Sequence, residues 1–289
     1  MIGHLIEEGT DVSPLAVYSS HSYGQGKTLL QIASRHHNLD AAQLFLERPE
    51  GPVMARQRDS QGQQALPWAA IGLFPGHRQW LEPMSDVEVT HRAIETIKAL
   101  LPYNGVNERG TRGMTALALA ARFCKPPMSA YDSSCFDPAV QFFLDHGADP
   151  CDAGDDYGDT PLHAALCSVD RITTVRLLLS RGARADVHNR KGDTSVHVTA
   201  KMYKYLQLRR KARNVENLED REERQRVAMQ LLLDSLGSAD IMDQQIEELT
   251  TAEIPQNLEE DKKWLRRIQS RVYHIRLSSP SDLLGSGAE

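Results

Sequence analysis

Gly26, Lys27 and Thr28 come nearest to a catalytic motif in this sequence. A phosphate-binding loop ends in Gly-Lys-Ser/Thr, with backbone amides around the phosphates and the lysine reaching their far end. That loop also needs a glycine five residues before the second one, after a buried strand. Position 21 is His21, and no apolar run precedes it. The residues that follow keep register with four other copies of one frame along the chain, so Thr28 reads as a helix cap. The sequence has eleven histidines but no His-Glu-x-x-His. Metal chemistry is therefore not expected. There is no Gly-x-Ser-x-Gly turn to expose a nucleophile. Cys124, Cys135, Cys151 and Cys167 form no Cys-x-x-Cys pair, which favours a reducing compartment over a disulfide framework or a zinc site. Arg209-Arg210-Lys211-Ala212-Arg213 reads as an import signal, a phosphate-contacting patch or a solvated helical face. The neighbouring pairs Asp220/Arg224 and Glu222/Arg226, at i and i+4, favour the last.

The chain of 289 residues is 40% hydrophobic, which excludes a wholly disordered polymer. Its 33 basic against 39 acidic residues argue against generic nucleic-acid binding, which draws on an excess of cations. No run approaches the roughly 20 apolar residues that span a bilayer. Glu7, Glu8 and Asp11 stand where a secretory leader would be basic and then apolar. The expected location is cytoplasmic or nuclear.

The elements that position these residues recur. Gly158-Asp159-Thr160-Pro161-Leu162-His163-Ala164-Ala165 is followed by Thr174-Val175-Arg176-Leu177-Leu178-Leu179-Ser180-Arg181-Gly182-Ala183. The same frame fits at Gly26 to Ala33, Gly62 to Ala69, Gly113 to Ala120 and Gly192 to Thr199. This pattern resembles the ankyrin repeat, whose signature is G-x-T-P-L-H-x-A with a second helix ending L-L-x-x-G-A. The motif glycines are 36, 51, 45 and 34 residues apart, against a family period of about 33. Insertions near 72–88 and 124–136, between the two helices of their repeats, account for the long gaps.

Each copy has a physical logic of its own. The glycine starts a tight turn, the threonine two residues later caps the first helix, and Pro161 takes an early helical position that needs no donor. Leu30, Leu66, Leu117, Leu162 and Val196 face inward, as do Ile32, Trp68, Leu119, Ala164 and Val198 two places on. Ala33, Ala69, Ala120 and Ala165 let the second helix approach. Val140, Phe143 and Leu144, and likewise Val175, Leu178 and Leu179, make i, i+3, i+4 stripes. Gly147, Gly182 and Asn104 are expected as left-handed caps. Gln64, Pro67 and Thr199 depart from the signature, so the second and fifth repeats are expected to be looser.

The resemblance implies an all-α ankyrin solenoid of stacked helix-turn-helix units with hairpin loops over residues 1–241. A partial repeat at 2–12 precedes repeats near 24–58, 59–107, 109–151, 155–187 and 189–241. The fifth repeat is expected to carry a charged helical insertion, 200–226, before the second helix at 227–233. A helical extension at 242–277 and a disordered tail at 278–289 complete the expected organisation; the apolar stripe Leu265, Ile268, Val272 and Ile275 suits a helix covering the open end of the stack, or one that binds a partner.

In this family partners are met by residues flanking the motif glycine. Carried over, these are Ser60, Gln61 and Gln63; Thr111, Arg112 and Met114; Asp156, Tyr157 and Asp159; and Arg190, Lys191 and Asp193. Their character runs from neutral to basic, acidic and mixed, which suits a protein or peptide of mixed charge better than a uniform polyanion. Tyr157 and Arg112 are the expected hot spots. The implied function is non-catalytic protein binding, with no cofactor and no small-molecule substrate. A recognition fragment of a larger multidomain enzyme or receptor is an alternative, and so is a small enzyme using Phe74–Trp80 or Cys124–Phe136 as a lid.

Overall fold

The computed structural model describes residues 27–59, 62–72, 86–123, 138–167, 171–202 and 218–236. The expected partial repeat at 2–12, most of both insertions, the basic run at 209–213, the extension at 242–277 and the tail at 278–289 lie outside them. Two compact units are present. One holds the described residues up to Ala183 together with His188–Gly192, and the other holds Arg184–Val187 and the described residues from Asp193 onward.

The first unit begins with α1, Leu29–Arg35. Thr28 opens it, because its hydroxyl accepts from the Gln31 amide at 3.1 Å while the Gln31 side chain accepts from the Thr28 amide at 2.8 Å. This reciprocal box satisfies two donors that a helix start otherwise leaves orphaned. Asn38 caps α2, Leu39–Leu46, in a similar way. A short α3, Gly51–Arg56, with proline in its first turn, leads to the next copy.

That copy supplies α4, Ala65–Gly72, and α5, Asp86–Leu100. It is followed by α6, Ala116–Phe123, with α7, Pro138–Asp145, and then by α8, Pro161–Leu166, with α9, Ile172–Ser180. The long spacings therefore do fall between first and second helices. The second helix of the second copy starts at Asp86, inside the span assigned to the insertion.

First helices stack in chain order, α1 on α4, α4 on α6 and α6 on α8. Second helices do the same, α2 on α5 and α5 on α7. The seam of the first layer is the motif leucine: Leu30, Leu66, Leu117 and Leu162 are all buried. Burying one such side chain is worth about 1.5–3 kcal/mol, so the repeated leucine is a large share of what holds adjacent copies together. Ala33, Ala69, Ala120 and Ala165 are buried beside it. The described residues contain no named strand, and Arg109 and Thr115 form an isolated antiparallel bridge.

Three local expectations are corrected. Asn104 does not take positive φ; the carboxamide turns inward and donates to the Ala55 carbonyl at 3.1 Å, tying the end of α5 to α3. Leu179 is only half-buried while Leu177 is buried, which rotates the stripe of α9. The second copy is not loose: Ala65 through Ala70 are all buried, and Gln64 is buried with its amide donating to the Arg56 carbonyl at 3.3 Å.

The second unit contains a helix at 195–202, α10, and α11, Leu218–Leu236. The Thr194 amide donates to His197 Nδ1 at 3.2 Å, and the Thr199 hydroxyl donates to the Ser195 carbonyl at 2.9 Å, so the departure from alanine at 199 is accommodated by a local bond. In α11, Ala228, Met229, Leu232 and Leu233 are buried on one stripe. Leu218 to Arg226 and Val227 to Leu233 form one continuous helix, with no break where the charged segment was expected to give way to the apolar one.

Candidate partner-binding face

Four turns of the first unit share one construction. The amide of the motif glycine donates to the carbonyl three residues earlier: Gly62 to Asp59, Gly113 to Gly110, Gly158 to Asp155 and Gly192 to Asn189, at 2.9 to 3.1 Å. All four glycines have positive φ, between 71° and 77°. At three turns the residue accepting that bond also braces the loop through its side chain. Asp59 accepts from the Gln63 amide at 2.8 Å, Asp155 from the Tyr157 amide at 2.9 Å and Asn189 from the Lys191 amide at 2.9 Å. The Gly113 turn has Gly110 in this place and no such brace. There Arg112 itself turns left-handed, φ 56°, directly before Gly113.

The turns are joined into a row. The Asp156 amide donates to the Arg112 carbonyl at 2.8 Å, and the Arg190 amide donates to the Tyr157 carbonyl at 2.8 Å. Arginines reinforce these links. Arg58 donates to the carbonyls of Gly62 and Arg109, and Arg190 donates to that of Asp156. Arg109 reaches Asp152 at 2.7 Å. A Cβ on Gly154 would fall 2.3 Å from the Arg109 Cζ, so the lack of a side chain there leaves room for that guanidinium to cross.

The sequence-derived contact residues divide on this geometry. Arg112, Asp156, Tyr157, Arg190 and Lys191 are exposed along the row. Tyr157 is 45% exposed, one of two large hydrophobic side chains in the described residues that face solvent to this degree. Lys191 Nζ lies 5.3 Å from the centre of its ring. Met114 is half-buried, and its carbonyl accepts from the Gly110 amide. Gln63 is only 4% exposed and Asp159 accepts from the Asn189 side chain at 2.8 Å, so both brace turns. Thr111 contributes backbone to the Gly113 turn. Ser60 and Gln61 lie outside the described residues. Asp193 belongs to the second unit, where it pairs with Lys201. Arg58 and Arg109 were missed by the sequence reading. Each stands four residues before a motif glycine, a register that could have found them.

Behind the row, the first helices are pinned by polar groups. The Thr160 amide donates to His163 Nδ1 at 3.2 Å, and within the second unit the Thr194 amide makes the same bond to His197. Gln31 fills that histidine's place in the first copy and also donates to the carbonyls of Gln57 and Gln63, bridging to the next turn. Trp68 donates to Asp59 at 2.8 Å, with Lys27 Nζ 4.0 Å from the centre of its ring. Burial, and next the nearby Arg35, push the Lys27 pKa below its usual range. Burial also pushes Asp155 up, with the Asp159 charge adding to the shift while the bonds from the Asp159 and Tyr157 amides oppose it.

A family model of three ankyrin repeats matches residues 88–191, the stretch holding two of the linked turns, most of α5, and α6 through α9. Residues 88–191 carry ankyrin repeats. Curated relatives bearing such a similarity include "Scaffold protein ILK" of Cavia porcellus, Mus musculus and Homo sapiens. Each is 45% identical to the chain over 56 residues, which is 19% of this chain and 12% of the relative. The chain thus spans about an eighth of the length of these relatives. Among the described residues, no group of three or more histidines, cysteines or carboxylates could hold a metal ion, and no helix is long and apolar enough to cross a membrane.

Proposed function

We propose that the chain is a non-catalytic protein-binding module whose contact face is the row of turn tips. The observation that carries this reading is the backbone linkage of Arg112, Asp156, Tyr157 and Arg190, which presents exposed side chains on a frame already ordered before binding. A pre-ordered face avoids much of the entropy that a flexible loop loses on association. Tyr157 and Arg112 are its anchors, since tyrosine and arginine carry a disproportionate share of interface energy. The similarity to a scaffold protein supports a role in assembly in place of catalysis. The proposed setting is the cytoplasm or nucleus.

The test is affinity purification of the tagged chain from native extract, comparing wild type with Arg112→Glu/Tyr157→Ala. A protein retained by the wild type and lost with the folded double variant is the expected result. Equal recovery with both would remove the tips from the contact face. The small share of the scaffold relatives that is matched favours a second reading, in which these repeats recruit partners on behalf of a larger multidomain protein.

A further inference from the structure

We infer that the partner meets this edge with an acidic polypeptide segment, a refinement that rests on the tip row being the contact face. Read along the sequence, the tips look mixed in charge. The fold sorts them. Asp59 and Asp155 are buried, and with Asp159 they point into hydrogen bonds with turn amides, Trp68 or Asn189. Arg58, Arg109, Arg112, Arg190 and Lys191 are all exposed. Asp156 is the exposed carboxylate among them, and Asp152 is taken up by Arg109. A chain with net charge -6 therefore presents a cationic edge, so an acidic segment is drawn to this edge and repelled by the protein's overall charge.

A polypeptide suits the edge better than a nucleic acid. Nucleic-acid binding draws on closely spaced phosphates and many released counterions. Here Arg58, Arg112, Arg190 and Lys191, with Arg109 already paired to Asp152, are spread over three of the four tips, and the tip between those of Arg112 and Arg190 carries the carboxylate of Asp156. Arginine forks match carboxylates in pairs. Tyr157, with Lys191 against its ring, adds an amphipathic contact that a peptide side chain can cover.

The experiment is fluorescence anisotropy on the full chain with three probes: a labelled Glu/Asp-rich peptide, a Lys-rich peptide of equal length and an oligouridylate RNA. The acidic peptide should bind most tightly and weaken as salt rises. Arg112→Glu/Lys191→Glu should reduce its affinity by about tenfold, and Arg176→Glu, an exposed site on α9, should leave it unchanged. Lys191→Glu alone, with a melting curve as a folding check, should show part of the loss. No binding of the acidic peptide, RNA binding as tight or tighter, or equal loss in the tip and α9 variants would overturn the inference. Partner retention by the wild type and its loss with Arg112→Glu/Tyr157→Ala are read separately, so the acidic specificity can fail while the contact face stands.

Discussion

Gly113 and Gly192 have almost the same backbone, φ 72° and 77°, but different surroundings. A Cβ on Gly192 would meet nothing within 4 Å, whereas one on Gly113 would fall 2.1 Å from the Gly154 carbonyl oxygen. Gly192→Ala should therefore cost only the left-handed backbone term, about 1–2 kcal/mol. Gly113→Ala adds a collision with the neighbouring turn and should cost about 3 kcal/mol or more; denaturant titration of both variants reads the difference. Asp155 supplies a second residue-scale prediction. Its protonated form favours the fold, a contribution fully present below the ordinary value of 3.8 and lost as pH rises through the raised folded value. Asp155→Asn keeps an acceptor for the turn amides without burying a charge, as Asn189 does one repeat later. It should raise the melting temperature at neutral pH, with the gain shrinking towards zero as the buffer is taken below 3.8. At this scale much was legible, because glycine is the usual residue for a left-handed turn and threonine for a cap. The inward aim of Asp59, Asp155 and Asp159 was not, since a carboxylate in a turn looks the same in sequence whether it braces an amide or faces water.

At the level of single helices, the start signals were clear and the cross-repeat locks were hidden. Thr160 before Pro161 announces α8, and its hydroxyl accepts from the His163 amide at 3.4 Å while the ring returns a bond. Thr160→Val should cost about 1 kcal/mol, the usual loss for a helix cap. Arg171 gave no comparable signal. It is buried at the start of α9, and its Nη1 donates to the carbonyls of Ala121 at 2.7 Å and Ala120 at 3.4 Å in α6, a helix 50 residues earlier. A cation on these late carbonyls of α6 also answers the negative pole of that helix. Arg171→Met keeps the stem and removes the donor, and should cost about 2 kcal/mol by thermal or denaturant unfolding. An effect no larger than that of an exposed arginine such as Arg176→Met would contradict this role. Asn104 failed as a predicted left-handed cap for a related reason: the buried Ala55 carbonyl offered its side chain a partner that only the stacked structure brings near.

Across the molecule, stability is built from neighbours, because none of these short helix pairs can bury its apolar face alone. α4 lies between α1 and α6, and α6 lies between α4 and α8, so amides of these two helices should exchange most slowly with deuterium, and those of α1 faster. Uniform exchange across the first unit would instead mean one cooperative block. The period and the repeated leucine make this stacked order readable in the sequence. The partner's chemistry was less readable, since it depends on which charges the tips turn outward. The most direct test of the tip face is deuterium exchange of the full chain with and without the protein it retains from extract. Protection at residues 109–113, 154–158 and 188–192 is the predicted result. Protection confined to α5, α7 and α9, with the tips unchanged, would contradict it.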